Sequence, residues 1–345
     1  MLRGVASAFS DDIAIDLGTA NTLVHVAGRG IIIDEPSAVA VRTHRGAREI
    51  LTVGRKAKAL LGRTPEKVEL VRPLRDGVIA DFVAAEEMLR QFIKRTKSML
   101  GFRRPRILIC VPAQATPVER RAVYDTAVSL GARKVYLIAE PVAASVGAGI
   151  SIGEQGGAMV LDIGGGTSDI AALSGGSVVS ARTLRVAGNA MDEAIVRYVR
   201  RRHQLLIGEA NAERMKIEVG SALATPDGRT AEVHIRGRDL QHGRAKAIVL
   251  RARDVAEALV EPVETLAEFV QRALEDLPPD ILGDIAHRGV HLTGGGALLD
   301  KLDVALSRSI GIKFRVEQNP MHCVVKGSAA VLAALDRHER LLMHV

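Results

Sequence analysis

The feature that most narrows what this chain can become is a motif it carries twice. Ile13-Ala14-Ile15-Asp16-Leu17-Gly18-Thr19 and Val160-Leu161-Asp162-Ile163-Gly164-Gly165-Gly166-Thr167 share one plan: an apolar strand, an aspartate, an apolar residue, glycine, then hydroxyl residues. Asp16 and Asp162 lie 146 residues apart (162 − 16), which is the spacing of domains rather than of solenoid repeats. Two unrelated strand-turn segments would also read this way, so the repeat gains force only from what surrounds it.

Glycine lets backbone N–H groups approach an anion with no Cβ in the way. Successive N–H groups in a turn form an anion-binding concavity. Two such loops face to face clamp a triphosphate from both sides. Asp16 and Asp162 then stand beside the phosphates, and carboxylates in that position imply Mg²⁺ between the charges, held partly through water. Neither loop has the G-x-x-x-x-G-K-[ST] spacing, and no Rossmann fingerprint is present. A third glycine cluster, Gly294-Gly295-Gly296-Ala297, follows a strand and opens a helix. It reads either as backbone donors for a ligand or as a tight turn with no ligand.

Composition removes several classes. With 345 residues, 47% hydrophobic and 25% charged, the chain has material for two packed domains rather than wholesale disorder. Aromatics are 3% with no Trp, so the core is aliphatic and little is available for stacking on bases. The net charge of +7 is mostly scattered, with short clusters at 103–106 and 200–202, so no nucleic-acid partner is expected. The two distant cysteines, Cys110 and Cys323, offer neither metal spacing nor a disulfide framework. No apolar run reaches the ~18–20 residues that span a bilayer, and no signal peptide is evident.

Strands alternate with helices, the α/β pattern. Strands are predicted at 13–17, 23–27, 37–41, 106–111, 134–138 and 158–163. Helices are predicted at 84–100, from Thr116 (which caps with Glu119 in a capping box) to Gly131, at 190–206, 211–222, 254–276 with Pro262 as a kink or break, 297–309 and 326–337. Glu140 follows the strand at 134–138 and precedes Pro141. On its residues alone it is also a helix-start carboxylate favouring the dipole.

Taken together, these segments are similar to the MreB family of bacterial actins, within the actin, heat-shock chaperone and sugar-kinase superfamily. The resemblance spans essentially the whole chain. It is carried by Asp16-Leu17-Gly18-Thr19-Ala20-Asn21-Thr22, Leu61-Gly62-Arg63-Thr64-Pro65, Arg75-Asp76-Gly77-Val78-Ile79-Ala80-Asp81-Phe82, Val118-Glu119-Arg120-Arg121-Ala122, Glu140-Pro141-Val142-Ala143-Ala144, Asp162-Ile163-Gly164-Gly165-Gly166-Thr167, Ala212-Glu213-Arg214-Met215-Lys216 and Leu292-Thr293-Gly294-Gly295-Gly296-Ala297-Leu298-Leu299.

It implies an actin-like two-lobed α/β fold of duplicated mixed sheets with an ATP cleft between them. One domain would span 1–148, completed by a C-terminal helix at 324–345, and the other 149–323. ATP would contact Thr19, Ala20 and Asn21, then Gly165, Gly166 and Thr167, then Glu213, Arg214, Met215 and Lys216, with Gly294, Gly295, Gly296 and Ala297 completing the nucleoside pocket. Mg²⁺ would sit near Asp16 and Asp162. Glu140 would orient the attacking water with help from Thr167, in a slow ATPase. Without the resemblance, Glu213 and Lys216 also read as a solvated surface pair at i and i+3.

The implied function is an ATP-dependent homopolymer filament on the inner face of the cytoplasmic membrane. It would work with the cell-wall elongation machinery and a membrane-anchored adaptor to maintain rod shape. Two segments bear on the membrane. Leu2, Val5 and Phe9 share a helical face, and Leu100 and Phe102 sit beside Arg103 and Arg104, which suits an anionic surface. A frayed terminus and a helix end packed into the core are the alternatives. Ser168, Asp169, Asn189 and Ala139 depart from the family pattern, which keeps a non-hydrolysing scaffold open. A sugar-kinase-type phosphotransferase lacks a recognisable sugar-binding insert, and a chaperone-type ATPase would need a substrate-binding domain.

Overall fold

The structure, a computed structural model, describes residues 12–44, 47–60, 68–97, 104–150, 156–223 and 231–344. β1 (Ile13–Leu17) turns directly into β2 (Asn21–Val26), and β3 (Gly30–Pro36) returns beside it. The turn is as tight as predicted, with Leu17 opposite Thr22 on an antiparallel ladder. β4 (Val39–His44), β5 (Ala47–Val53) and β6 (Val68–Val71) make a small separate sheet, with the single-turn helix α1 (Arg55–Lys58) after β5. A two-stranded ribbon, β7 (Leu74–Arg75) with β8 (Val78–Ile79), leads into α2 (Phe82–Lys97). Then follow β9 (Arg106–Val111), α3 (Pro117–Ser129), β10 (Lys134–Ala139) and α4 (Glu140–Gly147). The capping box of Thr116 with Glu119 forms as its spacing predicts.

The second half repeats the plan. β11 (Ala158–Ile163), buried along its whole length, turns into β12 (Ser168–Ser174) and β13 (Ser177–Leu184). Helices α5 (Gly188–His203) and α6 (Glu209–Val219) come next, beside a three-stranded sheet of β14 (Leu205–Leu206), β15 (Glu232–Asp239) and β16 (Ala245–Arg251). Helices α7 (Ala252–Glu275) and α8 (Pro279–Arg288) precede β17 (Val290–Thr293), α9 (Leu302–Ile310), β18 (Phe314–Val316), α10 (Cys323–Ala333) and the short β19 (Leu342–Met343).

Two mixed sheets result, in the orders β19-β10-β9-β1-β2-β3 and β13-β12-β11-β17-β18. In each, the aspartate-bearing strand is antiparallel to the next strand and parallel to a later one: β1 beside β2 and β9, β11 beside β12 and β17. The sequence repeat is therefore a structural duplication.

Each sheet has its own aliphatic core. Ile13, Ile15, Val24, Ile107 and Ile109 pack with Met88, Leu89 and Phe92 of α2, while Met159, Leu161 and Leu292 pack with Ile195, Leu259 and Leu266. A third cluster draws on both sheets: Leu108, Cys110 and Ile138 meet Val160 and Ala171 through Val142 of α4 and Val324 and Val331 of α10. Helices α4 and α10 cross so closely that a Cβ on Gly147 would overlap the carbonyl of Cys323, and one on Gly327 would overlap that of Ala143. Only glycine permits that approach.

Four elements differ from expectation. The C-terminal helix expected at 326–337, and at 324–345 as the completion of the first domain, is α10, which ends at Ala333 where the backbone leaves the helical region, and the chain returns as β19 antiparallel to β10. Helix α7 runs unbroken through Pro262. Its apolar stripe of Val255, Leu259, Val263, Leu266 and Val270 is buried throughout, which outweighs the ~3 kcal/mol of an interior proline. The segment predicted as a helix at 297–309 is a 3₁₀ turn at Gly295–Leu298 followed by α9. The strand predicted at 37–41 is β4, displaced because Ser37 is used elsewhere: its hydroxyl donates to the Gly18 carbonyl at 2.6 Å.

Candidate nucleotide cleft

The two Asp-Gly loops are hairpin turns at equivalent corners of the duplicated sheets, and they touch. A Cβ on Gly165 would lie 2.5 Å from Ala20 Cβ, and one on Gly166 would lie 2.8 Å from Thr19 Oγ1 and 3.0 Å from the Asp76 nitrogen. Thr19 Oγ1 in turn accepts the Gly77 N–H at 3.1 Å. Thr19, Ala20, Gly165, Gly166 and Thr167 therefore meet in one place, with the β7–β8 turn closing behind them. Asn21 opens β2 beside them, half-buried. Helix α5 docks its first turn on the second loop, the N–H groups of Gly188 and Asn189 donating to the carbonyls of Gly164 and Gly165 at 3.1 and 2.8 Å.

With the loops comes a set of carboxylates whose charges act on one another. Asp16 is half-buried near the end of β1, its pKa pushed up to about 8 by burial and by Asp162. Asp162 is buried; desolvation raises it to about 7, although Thr293 Oγ1 donates to its Oδ1 at 2.7 Å. Glu140, the first residue of α4 and nearly sealed from solvent, is held well above the ordinary carboxylate range by burial and then by Asp169, Asp16 and Asp162. Asp169 is fully buried and raised by desolvation. Burial and mutual repulsion favour the protonated forms of these carboxyls, and a cation beside them would stabilise the charged forms instead. Among the described residues, no three His, Cys, Asp or Glu side chains converge as a metal cage. Hard oxygen donors without a cage fit a Mg²⁺ ion that would be held largely by water and ligand oxygens.

The other candidate residues divide. Glu213 on α6 lines the cleft, but its two carboxylate oxygens are taken by Lys58 Nζ at 2.9 and 2.8 Å, across the gap from α1. Arg72 and Glu209 form a second such pair at 2.5 Å. Lys216 bonds the Gly188 carbonyl at 2.8 Å and Asp192 at 2.9 Å, so it braces the start of α5 under the second loop. Burial raises Asp192 to about 6 against the pull of Lys216. Arg214 is committed to Glu218 and the His234 carbonyl, and Met215 is wholly buried in the second core.

The Gly294–Gly296 turn is shaped chiefly by packing. Gly294 has φ of +80°, and side chains on Gly294 or Gly296 would overlap Ile163. Only Gly295 is open, its nearest neighbour being Met321 at 3.8 Å. Ala297 is core.

The space between Thr19, Ala20, Lys58, Asn189 and Glu213 is about 40 Å³. Small-molecule sites are commonly ~300 Å³ or more; here the Lys58–Glu213 and Arg72–Glu209 pairs stand in that space. Sequence reasoning missed Lys58, Arg72, Glu209 and Asp192, which become neighbours only through the fold. Leu2, Val5, Phe9, Leu100 and Phe102 lie outside the described residues, as does 61–65. Among the described residues no helix is long and apolar enough to cross a membrane.

Two lobes built on one duplicated sheet plan, meeting over paired hairpin loops, define an actin-like fold. The MreB/Mbl protein family profile matches residues 10–340, and the chain belongs to that family. The cell shape-determining protein MreB of Escherichia coli (strain K12) is 47% identical over 341 residues, covering 98% of each chain. Crystal structures of MreB5 of Spiroplasma citri, bound to ADP in one and AMPPNP in the other, superpose with TM-scores of 0.89 at 32% identity, over 95% of this chain and 97% of theirs. A MamK double helical filament gives 0.76 at 21% identity, over 93% of this chain and 98% of that one, which speaks to the fold alone. The chain is thus an actin homologue related to bacterial cell shape-determining proteins.

Proposed function

We propose that this chain binds ATP with Mg²⁺ in the cleft, hydrolyses it slowly, and assembles into filaments on the inner face of the cytoplasmic membrane that organise cell-wall elongation. The observation that carries the reading is the contact of the two glycine loops, which follow the strands bearing Asp16 and Asp162, two carboxyls that both act on Glu140. The lobes are read as 1–148 with 324–345, and 149–323. The N–H groups of Thr19–Asn21 and Gly165–Thr167 bind the phosphates from opposite sides. Glu213 and Lys216 serve the ribose side, with Lys58 giving way as nucleotide enters. Gly295, the open position of its turn, borders the nucleoside, and Arg214, Met215 and Ala297 support the pocket from behind. Mg²⁺ at Asp16 and Asp162 supplies charge neutralisation for the phosphates. Glu140 accepts a hydrogen bond from the attacking water, and Thr167 fixes the loop beside it. Positioning and charge stabilisation are the bulk of what phosphoryl transfer requires.

The nucleotide-bound structures of MreB5 support the ligand. The 1–9 and 98–103 segments are proposed as the membrane contacts. Electron microscopy of the protein on anionic lipid with Mg·ATP, with phosphate release followed on the same sample, tests the reading. Filaments with slow release support it; monomers at high concentration on lipid count against assembly. Filaments with no release favour the scaffold alternative suggested by Ser168 and Asp169.

A further inference from the structure

Asp169 is a buried carboxylate to which nothing above gives a task. It stands in β12 directly opposite Asp162 in β11 and opposite Thr183 in β13. Directly paired residues on neighbouring strands share a face of the sheet, so Asp169 belongs to the same side as the phosphate-facing Asp162. One oxygen is fully employed: Oδ1 accepts the Thr183 hydroxyl at 2.6 Å and the Ala113 N–H at 3.0 Å. Ala113 follows β9 in the other lobe, so this bond ties the two sheets together beside the cleft. The other oxygen is not employed. Oδ2 is buried with no partner at hydrogen-bonding geometry, although the Thr167 hydroxyl is close enough to ease its charge. A carboxylate oxygen left without a partner in a sealed site is costly to maintain. Among the charged groups acting on Glu140, Asp169 stands ahead of Asp16 and Asp162.

We propose that Asp169 is the second acceptor for the attacking water, its Oδ2 taking one hydrogen of the water while Glu140 takes the other. A water held by one acceptor still rotates about that bond; two acceptors fix the direction of its lone pair. The bonds of Oδ1 to Thr183 and Ala113 make the second acceptor rigid and place it only when the lobes are docked. In the step, the water oxygen bonds to the γ-phosphorus. The bond from phosphorus to the β–γ bridging oxygen breaks, and its electron pair leaves on ADP. One water proton passes to the Glu140–Asp169 pair and from there to solvent, and the other stays on the released phosphate.

This inference rests on the hydrolytic reading, so its test begins with the unmodified full-length chain. Single-turnover phosphate release with Mg·ATP is measured alongside the affinity for a fluorescent ATP analogue, for wild type, Asp169→Asn, Asp169→Glu and Thr183→Val. Asparagine keeps the shape and still accepts at Oδ1. The account expects Asp169→Asn to slow release by about tenfold or more while affinity changes by under about threefold. Asp169→Glu should recover most of the rate, because a carboxylate is restored. Thr183→Val, which loosens the carboxylate without removing it, should fall between. Equal losses of affinity and rate in Asp169→Asn, or a rate unchanged from wild type, overturn the assignment. So does a glutamate variant no faster than the asparagine one, with melting curves confirming that both are folded. A wild type that binds nucleotide but releases no phosphate defeats the hydrolytic reading itself, and this inference with it.

Discussion

Asp162→Asn separates a site built for a cation from a polar residue that merely stabilises the core. In the absence of nucleotide and metal, Asp162 is buried and its pKa is raised from 3.8 to about 7. The native state therefore keeps the proton to higher pH than the unfolded chain does. By linkage, wild-type stability falls as pH climbs from about 4 to about 7 and stays low above that. A rise of about three in pKa corresponds to a ceiling of ~4 kcal/mol, at ~1.36 kcal/mol for each. Water entering along the cleft and relaxation of the Thr293 hydroxyl reduce that, so about 1–3 kcal/mol is expected. Asparagine carries no charge and can still accept from Thr293. In EDTA, Asp162→Asn should equal wild type near pH 4 and exceed it by about 1–3 kcal/mol at pH 8, read from urea midpoints at constant slope.

Adding Mg·ATP should reverse the ranking. Ligand at about 100 times its Kd stabilises a native state by ~2.7 kcal/mol, and the variant should lose most of that. A variant less stable than wild type at pH 8 in EDTA would refute the electrostatic reasoning. One that gains as much as wild type from Mg·ATP would refute the placement of Asp162 at the ligand.

Three further outcomes are expected. Glu140→Ala should retain nucleotide affinity within a few-fold and lose phosphate release by about 10²-fold or more; unchanged release in a quench assay would remove Glu140 from the chemistry. Gly327→Val should destabilise by about 2 kcal/mol or more, because its side chain meets the Ala143 carbonyl where α4 and α10 cross; thermal melts indistinguishable from wild type would contradict that packing. Deleting residues 1–9 together with Leu100→Ala and Phe102→Ala should abolish co-sedimentation with anionic liposomes, and full retention would end the membrane proposal.

Much of the fold was legible because local chemistry marked it. The repeated strand-Asp-apolar-Gly pattern at Asp16 and Asp162 announced two strand-ending loops, and Thr116 with Glu119 announced the start of α3. Pro262 misled because proline is judged locally, while α7 is held by a stripe of side chains buried along all 24 of its residues. The glycines at 294 and 296 read in the sequence either as backbone donors for a ligand or as a tight turn, and what shapes them is the nearby Ile163, known only once β11 and β17 pair. The ion pair of Lys58 with Glu213 joins residues 155 positions apart, and Lys58 carries no local signature. Each exposed pair contributes only about 0–1 kcal/mol, so both can yield to a ligand. Asp169 was visible in the sequence as a departure from the family pattern, but its orphaned oxygen and its tie to Ala113 exist only in three dimensions.

The claim beneath all of this is that two hairpin loops grip one triphosphate. A crystal structure of the full-length protein grown with Mg·AMPPNP measures that directly. The account predicts phosphate density between Thr19–Asn21 and Gly165–Thr167, a cation beside Asp16 and Asp162, and Lys58 released from Glu213. Density for the nucleotide elsewhere, or loops still in contact at saturating ligand, would contradict it.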